Sequence, residues 1–218
     1  MTVTYDPETY LESTIRCLKA YVESGFDKSV QDVSSNDSGL DVYEIVMEFP
    51  AEEMIRQMMP SSKSMIHFEL DDIQDQILSF GNNTAKVIID PVLKTITEQE
   101  GRRHLLNFDV GIWTWDKSGG TTARLRARQV LTNLFSGSQA ITNLREASDG
   151  GDGKLEIISY SGGHFTTEFI NDIRVFRQIN STLQIRVFSR TPSPIITPTI
   201  EDIEYDTELI IDDDLELT

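Results

Sequence analysis

Leu11, Ile15, Leu18 and Val22 fall three or four residues apart, so the first pattern along the chain is one apolar face of an α-helix. Asp6-Pro7-Glu8 supplies its start: a capping carboxylate, a proline at the first helical position and an acid in the first turn. Gly25, after Ser24, predicts its end. The Ser- and Asp-rich stretch from Asp27 to Gly39 reads as a loop. The period then changes to two. From Leu40 to Phe49, Tyr43, Ile45, Met47 and Phe49 alternate with Val42, Glu44, Val46 and Glu48, which predicts a half-buried strand. Pro50 ends it and opens a short helix with Met54, Ile55, Met58 and Met59 on its apolar side. Met is a gap-filling core residue, so this group reads as packing.

Further strands are predicted over Met65–Leu70, Thr84–Ile89 and Leu105–Trp115; Asp71–Phe80 is open between helical turn and loop. In the third of these strands Leu106, Phe108, Val110 and Ile112 share one face, and Gly111 marks a bulge or a close backbone approach. Ser118 or Thr121 caps the next helix, whose apolar stripe is Leu125, Ala127, Val130, Leu131, Leu134 and Phe135, with Gly137 as its stop. A second short helix is expected within Ser138–Ala147, and a turn over Asp149-Gly150-Gly151-Asp152-Gly153. Strands at Lys154–Tyr160, Asp172–Ile179 and Thr182–Ser189 follow, the last two joined as a hairpin by Asn180-Ser181. Helix, several strands, helix, then strands predicts an α+β fold with a mostly antiparallel sheet flanked by helices.

Charge divides the chain. The formal net charge is −17, and from Thr191 to Thr218 there are nine acids and no Lys, Arg or His. Residues 1–190 therefore read as one α+β domain and 191–218 as an extended acidic C-terminal tail, broken by Pro192, Pro194 and Pro198. Alone, such a tail gains too little burial to offset about 1–2 kcal/mol per residue of backbone entropy. It is expected to dock on a neighbouring copy or another protein, adding a strand to a sheet edge, with Ile195, Ile196, Ile210 and Ile211 as its apolar grips. The acidic balance disfavours gripping nucleic acid but suits a lumen through which DNA slides. No apolar run is long enough to span a membrane and no signal-peptide pattern opens the chain, which reads as soluble and made in the cytoplasm.

Candidate chemistry is sparse. Cys17 is the only thiol, so no disulfide can form within the chain, and it sits among apolar helical positions as a buried side chain. His67, His104 and His164 are isolated in sequence, a weak case for zinc. Ser118-Gly119-Gly120-Thr121-Thr122 before a helix could hold an anion, but it lacks the Gly-Lys-Ser/Thr ending of a P-loop. Asp149 and Asp152 lack the remaining ligands of a calcium loop. Glu98, Glu100, Asp71 and Asp72 read as solvated loop acids, and no Ser-His-Asp order can be nominated. No catalytic, cofactor-binding or metal-binding residue is assigned. Arg124 and Arg128 share a helical face, with Arg126 pointing elsewhere. These three, with Arg174, Arg177, Arg186 and Arg190 on the final hairpin, are candidate partners for carboxylates of another subunit, because the guanidinium fork pairs bidentately.

The run from Trp113 through Asp116-Lys117-Ser118-Gly119-Gly120-Thr121 and Ala123–Leu134, together with Gly162-Gly163, Asn171-Asp172-Ile173-Arg174-Val175-Phe176 and Arg186-Val187-Phe188-Ser189-Arg190, resembles the tail terminator (tail completion) proteins of long-tailed bacteriophages, especially those of actinobacteria. The likeness covers the C-terminal half well and the N-terminal half in outline. It implies a non-enzymatic virion protein without cofactors, in a ring, commonly six-fold, at the head-proximal end of the tail. The ring would stop tail-tube polymerisation on one face and meet the head-completion (stopper) protein of the neck on the other, touching DNA only in transit. The alternatives are another neck component, such as a head–tail adaptor or stopper, and a small hydrolase or nucleotide-binding enzyme.

Overall fold

The computed structural model describes residues 3–31, 43–76, 86–90, 95–136 and 155–192. Within them the fold is α+β. Helix α1 is Tyr10–Gln31, strand β1 Tyr43–Val46, helix α2 Glu52–Met58, β2 Ser64–Gln76, β3 Lys86–Asp90 and β4 Thr95–Trp115. A 3-10 turn at Asp116–Ser118 leads to α3, Gly120–Phe135, and then to β5, Leu155–Ile170, and β6, Ile173–Pro192. The six strands form one sheet in the order β1-β2-β4-β6-β5, with β3 also paired to β4. Every pairing is antiparallel except β1 on β2.

The two faces of the sheet are covered unequally. Leu106, Phe108, Val110 and Ile112 of β4 do share one face, and all four are buried beneath α1 and α3 with Ile66, Phe68, Ile185, Leu18 and Leu131. The other face carries a smaller cluster, in which α2 sets Ile55 and Met59 against Met65, Trp113, Trp115 and Val175. Each such aromatic or aliphatic side chain contributes roughly 1.5–3 kcal/mol on burial, so the α1/α3 side dominates stability. Long-range hydrogen bonds fix its layers. The Tyr21 hydroxyl donates to the Leu134 carbonyl at 2.7 Å, Tyr43 to Ala123 at 2.9 Å and Tyr5 to Phe188 at 2.7 Å.

Several expectations are corrected. The Asp6 carboxylate caps a turn, accepting from the Glu8 N–H at 2.9 Å, and regular helix begins only at Tyr10. Gly25 does not end α1, which runs to Gln31; a Cβ there would collide with the Leu134 side chain, so the glycine serves helix–helix approach. Strand β1 is only four residues long, and Met47 and Glu48 form a bend. The ambiguous stretch from Asp71 is strand as far as Gln76, and Glu98 and Glu100 lie on β4, not in a loop. Neither Ser118 nor Thr121 caps α3: the N-cap is Gly119 at φ 92°, a left-handed conformation that favours glycine. Leu125 is not in the apolar stripe but 55% exposed; the buried face is Gly120, Ala123, Ala127, Val130, Leu131 and Phe135.

The last hairpin is also relocated. Its reversal is Asn171-Asp172, with φ of 51° and 61°, as a two-residue type I′ turn demands. Asn180-Ser181 is no turn: β6 continues through it as one strand of 20 residues. Asn180 does take a positive φ of 56°, opposite Gly163 at 46°, so the signal marks a shared kink in β5 and β6. Pro192 is the last residue of β6 and does not break it. The expected helix at Ser138–Ala147, the Asp149–Gly153 turn, the Gly137 stop and the acidic tail beyond Pro192 lie outside the described residues.

Candidate interface

The arginines nominated from sequence divide into five locations. Arg124 and Arg128, one turn apart on α3, lean over β5 and β6. The guanidinium carbon of Arg124 is 4.4 Å from the Phe165 ring centroid and 4.9 Å from that of Phe176, and Arg128 is 5.6 Å from Phe165. Arg174 approaches Phe176 from the hairpin end at 4.7 Å. These three cations and two rings form one alternating row. Strand register explains it: Phe165 pairs with Gln178, Thr167 with Phe176 and Phe169 with Arg174, so one face of the hairpin presents them in order. Beyond the row Phe169 is 72% exposed.

Electrostatics within the row are unbalanced. Among the described residues, none of Arg124, Arg128 and Arg174 forms an ion pair. The Arg124 Nε is buried without a hydrogen-bond acceptor. Burial, and next the nearby Arg174 charge, lower the Arg124 pKa. Each cation–π contact contributes about 0.5–2 kcal/mol, which holds the side chains without neutralising them. A carboxylate brought from outside would find donors already oriented.

The remaining arginines lie elsewhere. Burial raises the Tyr43 pKa, and the Arg126 charge opposes that rise. Arg186 is held by Glu156 at 3.1 Å, its direct cross-strand partner. Arg190, near the other end of β6, donates its backbone N–H to Pro7 O at 3.1 Å and stacks at 5.6 Å on Phe188. Ile195, Ile196, Ile210 and Ile211 lie outside the described residues.

Two polar groups escaped the sequence reading. On the α1 side, His104 Nδ1 donates to Asp75 Oδ1 at 2.6 Å, and the Ser189 hydroxyl lies 2.7 Å from His104 Nε2. The three side chains come from β2, β4 and β6, and Tyr10 of α1 stacks on the imidazole at 4.6 Å. This is the connectivity of a nucleophilic triad. Both His104 and Ser189 are buried, however, and Ser189 sits on an interior strand. On the α2 side, His67 is fully buried. Its Nδ1 accepts from Trp113 Nε1 at 2.9 Å, and its Nε2 lies 3.7 Å from Asp109. Burial, and then the Arg177 charge, push its pKa down to about 4. Arg177 stacks on Trp113 at 4.5 Å and Phe49 at 5.1 Å.

The remaining chemical candidates are structural here. Cys17 is fully buried and desolvation raises its thiol to about 11. At the Gly119-Gly120 helix start the Thr122 and Ala123 N–H groups bond to Gly119 O, and Asp116 Oδ1 lies 3.9 Å from where a Gly120 Cβ would stand. An anion seated there would meet a carboxylate. Among the described residues, no three His, Cys, Asp or Glu side chains gather as metal ligands, and no helix is long and apolar enough to cross a membrane. No protein-family model and no curated protein matches this chain.

Proposed function

We propose that this chain is a structural virion protein of a long-tailed bacteriophage, a tail-terminator subunit that assembles as a ring, of six copies, at the head-proximal end of the tail. The ring ends tail-tube growth and joins the tail to the head-completion protein. One observation carries the reading: a row of arginines on aromatic rings of β5 and β6, without ion pairs among the described residues, on a chain of net charge −17. A cationic face and an acidic remainder on the same molecule favour head-to-tail contacts between copies, the type of contact that closes into rings. An acidic inner wall then repels DNA and lets it pass.

Size-exclusion chromatography with light scattering tests this. The expected species is a discrete oligomer of roughly 150 kDa, six times the 24.7 kDa chain. It should dissociate when Arg124 becomes Glu. A chain that stays monomeric at every concentration, alone and with the tail-tube protein, contradicts the proposal.

The Asp75–His104–Ser189 chain favours a second reading, an acyl-transfer hydrolase. Acyl transfer needs an approach to the nucleophile and donors aimed at the developing oxyanion. Ser189 is buried on β6, paired with Arg102 of β4, and its histidine is roofed by Tyr10. The chain is better suited to pinning three strands and α1 together.

A further inference from the structure

We infer that the acidic C-terminal segment of one copy docks on the arginine–aromatic face of a second copy, running as an added strand along the edge strand β5. The inference rests on the self-assembly proposed above and names the contact that would drive it.

The occupant is legible in its sequence. From Ile203 to Leu209 the acids Glu204, Asp206 and Glu208 hold the even positions and Ile203, Tyr205, Thr207 and Leu209 the odd ones, and Ile210 then interrupts the pattern. Extended, such a segment carries acids on one face and apolar groups on the other. The receiving face matches both properties. Among the described residues β5 is the last strand of its sheet edge, so half of its backbone donors and acceptors have no strand partner there. Arg124 and Arg128 of α3 lie over its Phe165, without a carboxylate among the described residues, and Leu125 of the same helix is exposed. Added main-chain hydrogen bonds would supply affinity, and carboxylate–guanidinium forks would set register.

Chain length favours a second copy over the first. The last described residue before the segment is Pro192. Arg128 lies against Gly162, which pairs with Ser181, and Arg174 is further back on the same strand. At about 3.3 Å per residue these points are roughly 35 and 60 Å from Pro192. The twelve residues from Pro192 to Glu204 span about 20 Å as a coil and about 40 Å fully stretched. Docking in cis would hold the linker near its limit, whereas a neighbour in a ring can bring its face to the segment.

The test mixes two full-length chains, Leu125→Cys and Leu209→Cys, in equal amounts under mild oxidation; native Cys17 is buried and stays silent. The expected product at low salt is a disulfide-linked mixed pair. Its yield should drop about fivefold or more near 1 M salt, where the Debye length is about 3 Å. A similar drop should follow when the Leu209→Cys chain also carries E204Q, D206N and E208Q. Failure to exceed the yield of an Ile73→Cys control, or insensitivity to salt and to the three tail changes, overturns the inference. So does a doubly substituted chain that closes only on itself. Light scattering of the wild-type chain separates the two levels: rings without the cross-link overturn the tail docking alone, and a cross-link without rings overturns the ring.

Discussion

The guanidinium carbon of Arg124 lies 4.4 Å from the centroid of the Phe165 ring, so a cation from α3 rests on an aromatic of the edge strand β5. Phe165 also lies under Arg128, so one ring orients two cations. Phe165→Ala should cost the fold about 1–2 kcal/mol, since the ring is only half-buried, and should weaken assembly far more. Ile73→Ala, an exposed change on β2, should leave assembly intact. Urea titration and light scattering on the same samples check both effects. Equal assembly by the two variants would remove the row from the interface.

Gly111 faces His67 across the β2–β4 pair, and a Cβ at position 111 would collide with the imidazole. The ring cannot swing aside cheaply, because it is buried and accepts the Trp113 N–H. Gly111→Ala should therefore destabilise by about 3 kcal/mol, at the upper end for an overpacked core. Denaturant midpoints would measure it, and a loss below about 1 kcal/mol would contradict the packing described.

His67 makes stability depend on pH in a defined direction. Burial lowers its pKa from 6.5 to about 4 in the folded chain. Between those values the unfolded chain binds the proton and the folded chain does not, so stability rises with pH. The contribution is complete above about pH 6.5 and declines as pH falls to about 4, by about 3 kcal/mol in total. His67→Gln should flatten that part of the profile. An unchanged slope in urea titrations from pH 7 to 4 would refute the assignment.

Ser189→Ala separates the structural from the catalytic account of the Asp75–His104–Ser189 chain. Loss of the 2.7 Å hydrogen bond should cost about 1–2 kcal/mol and leave assembly intact. The wild-type protein should resist a fluorophosphonate serine probe. Stoichiometric labelling of Ser189 would establish the hydrolase instead.

Fold class was legible because the alternation in Leu106–Ile112 and the spacing in Leu11–Val22 are strong local patterns. What escaped depends on partners distant in sequence. Gly25 looks like a helix stop until Leu134 lies against it. Ser161–Thr167 is too polar and glycine-rich to read as strand, yet pairing with β6 keeps it extended. Asn180 gave a correct positive-φ signal, but the chain used it to kink a strand and not to reverse it. The i, i+4 spacing of Arg124 and Arg128 announced a shared face, while nothing local announced Phe165 and Phe176 beneath them. Asp75, His104 and Ser189 meet only through strand register. One clue existed: His104 is in phase with Leu106 and Phe108, a polar residue on an apolar face.

Electron microscopy of particles assembled with and without this chain tests the central claim most directly. The ring account predicts that its omission leaves tails of uncontrolled length that fail to join heads, and that particles containing it carry it at the top of the tail tube. Particles of normal length, joined and infectious in its absence, would contradict the account.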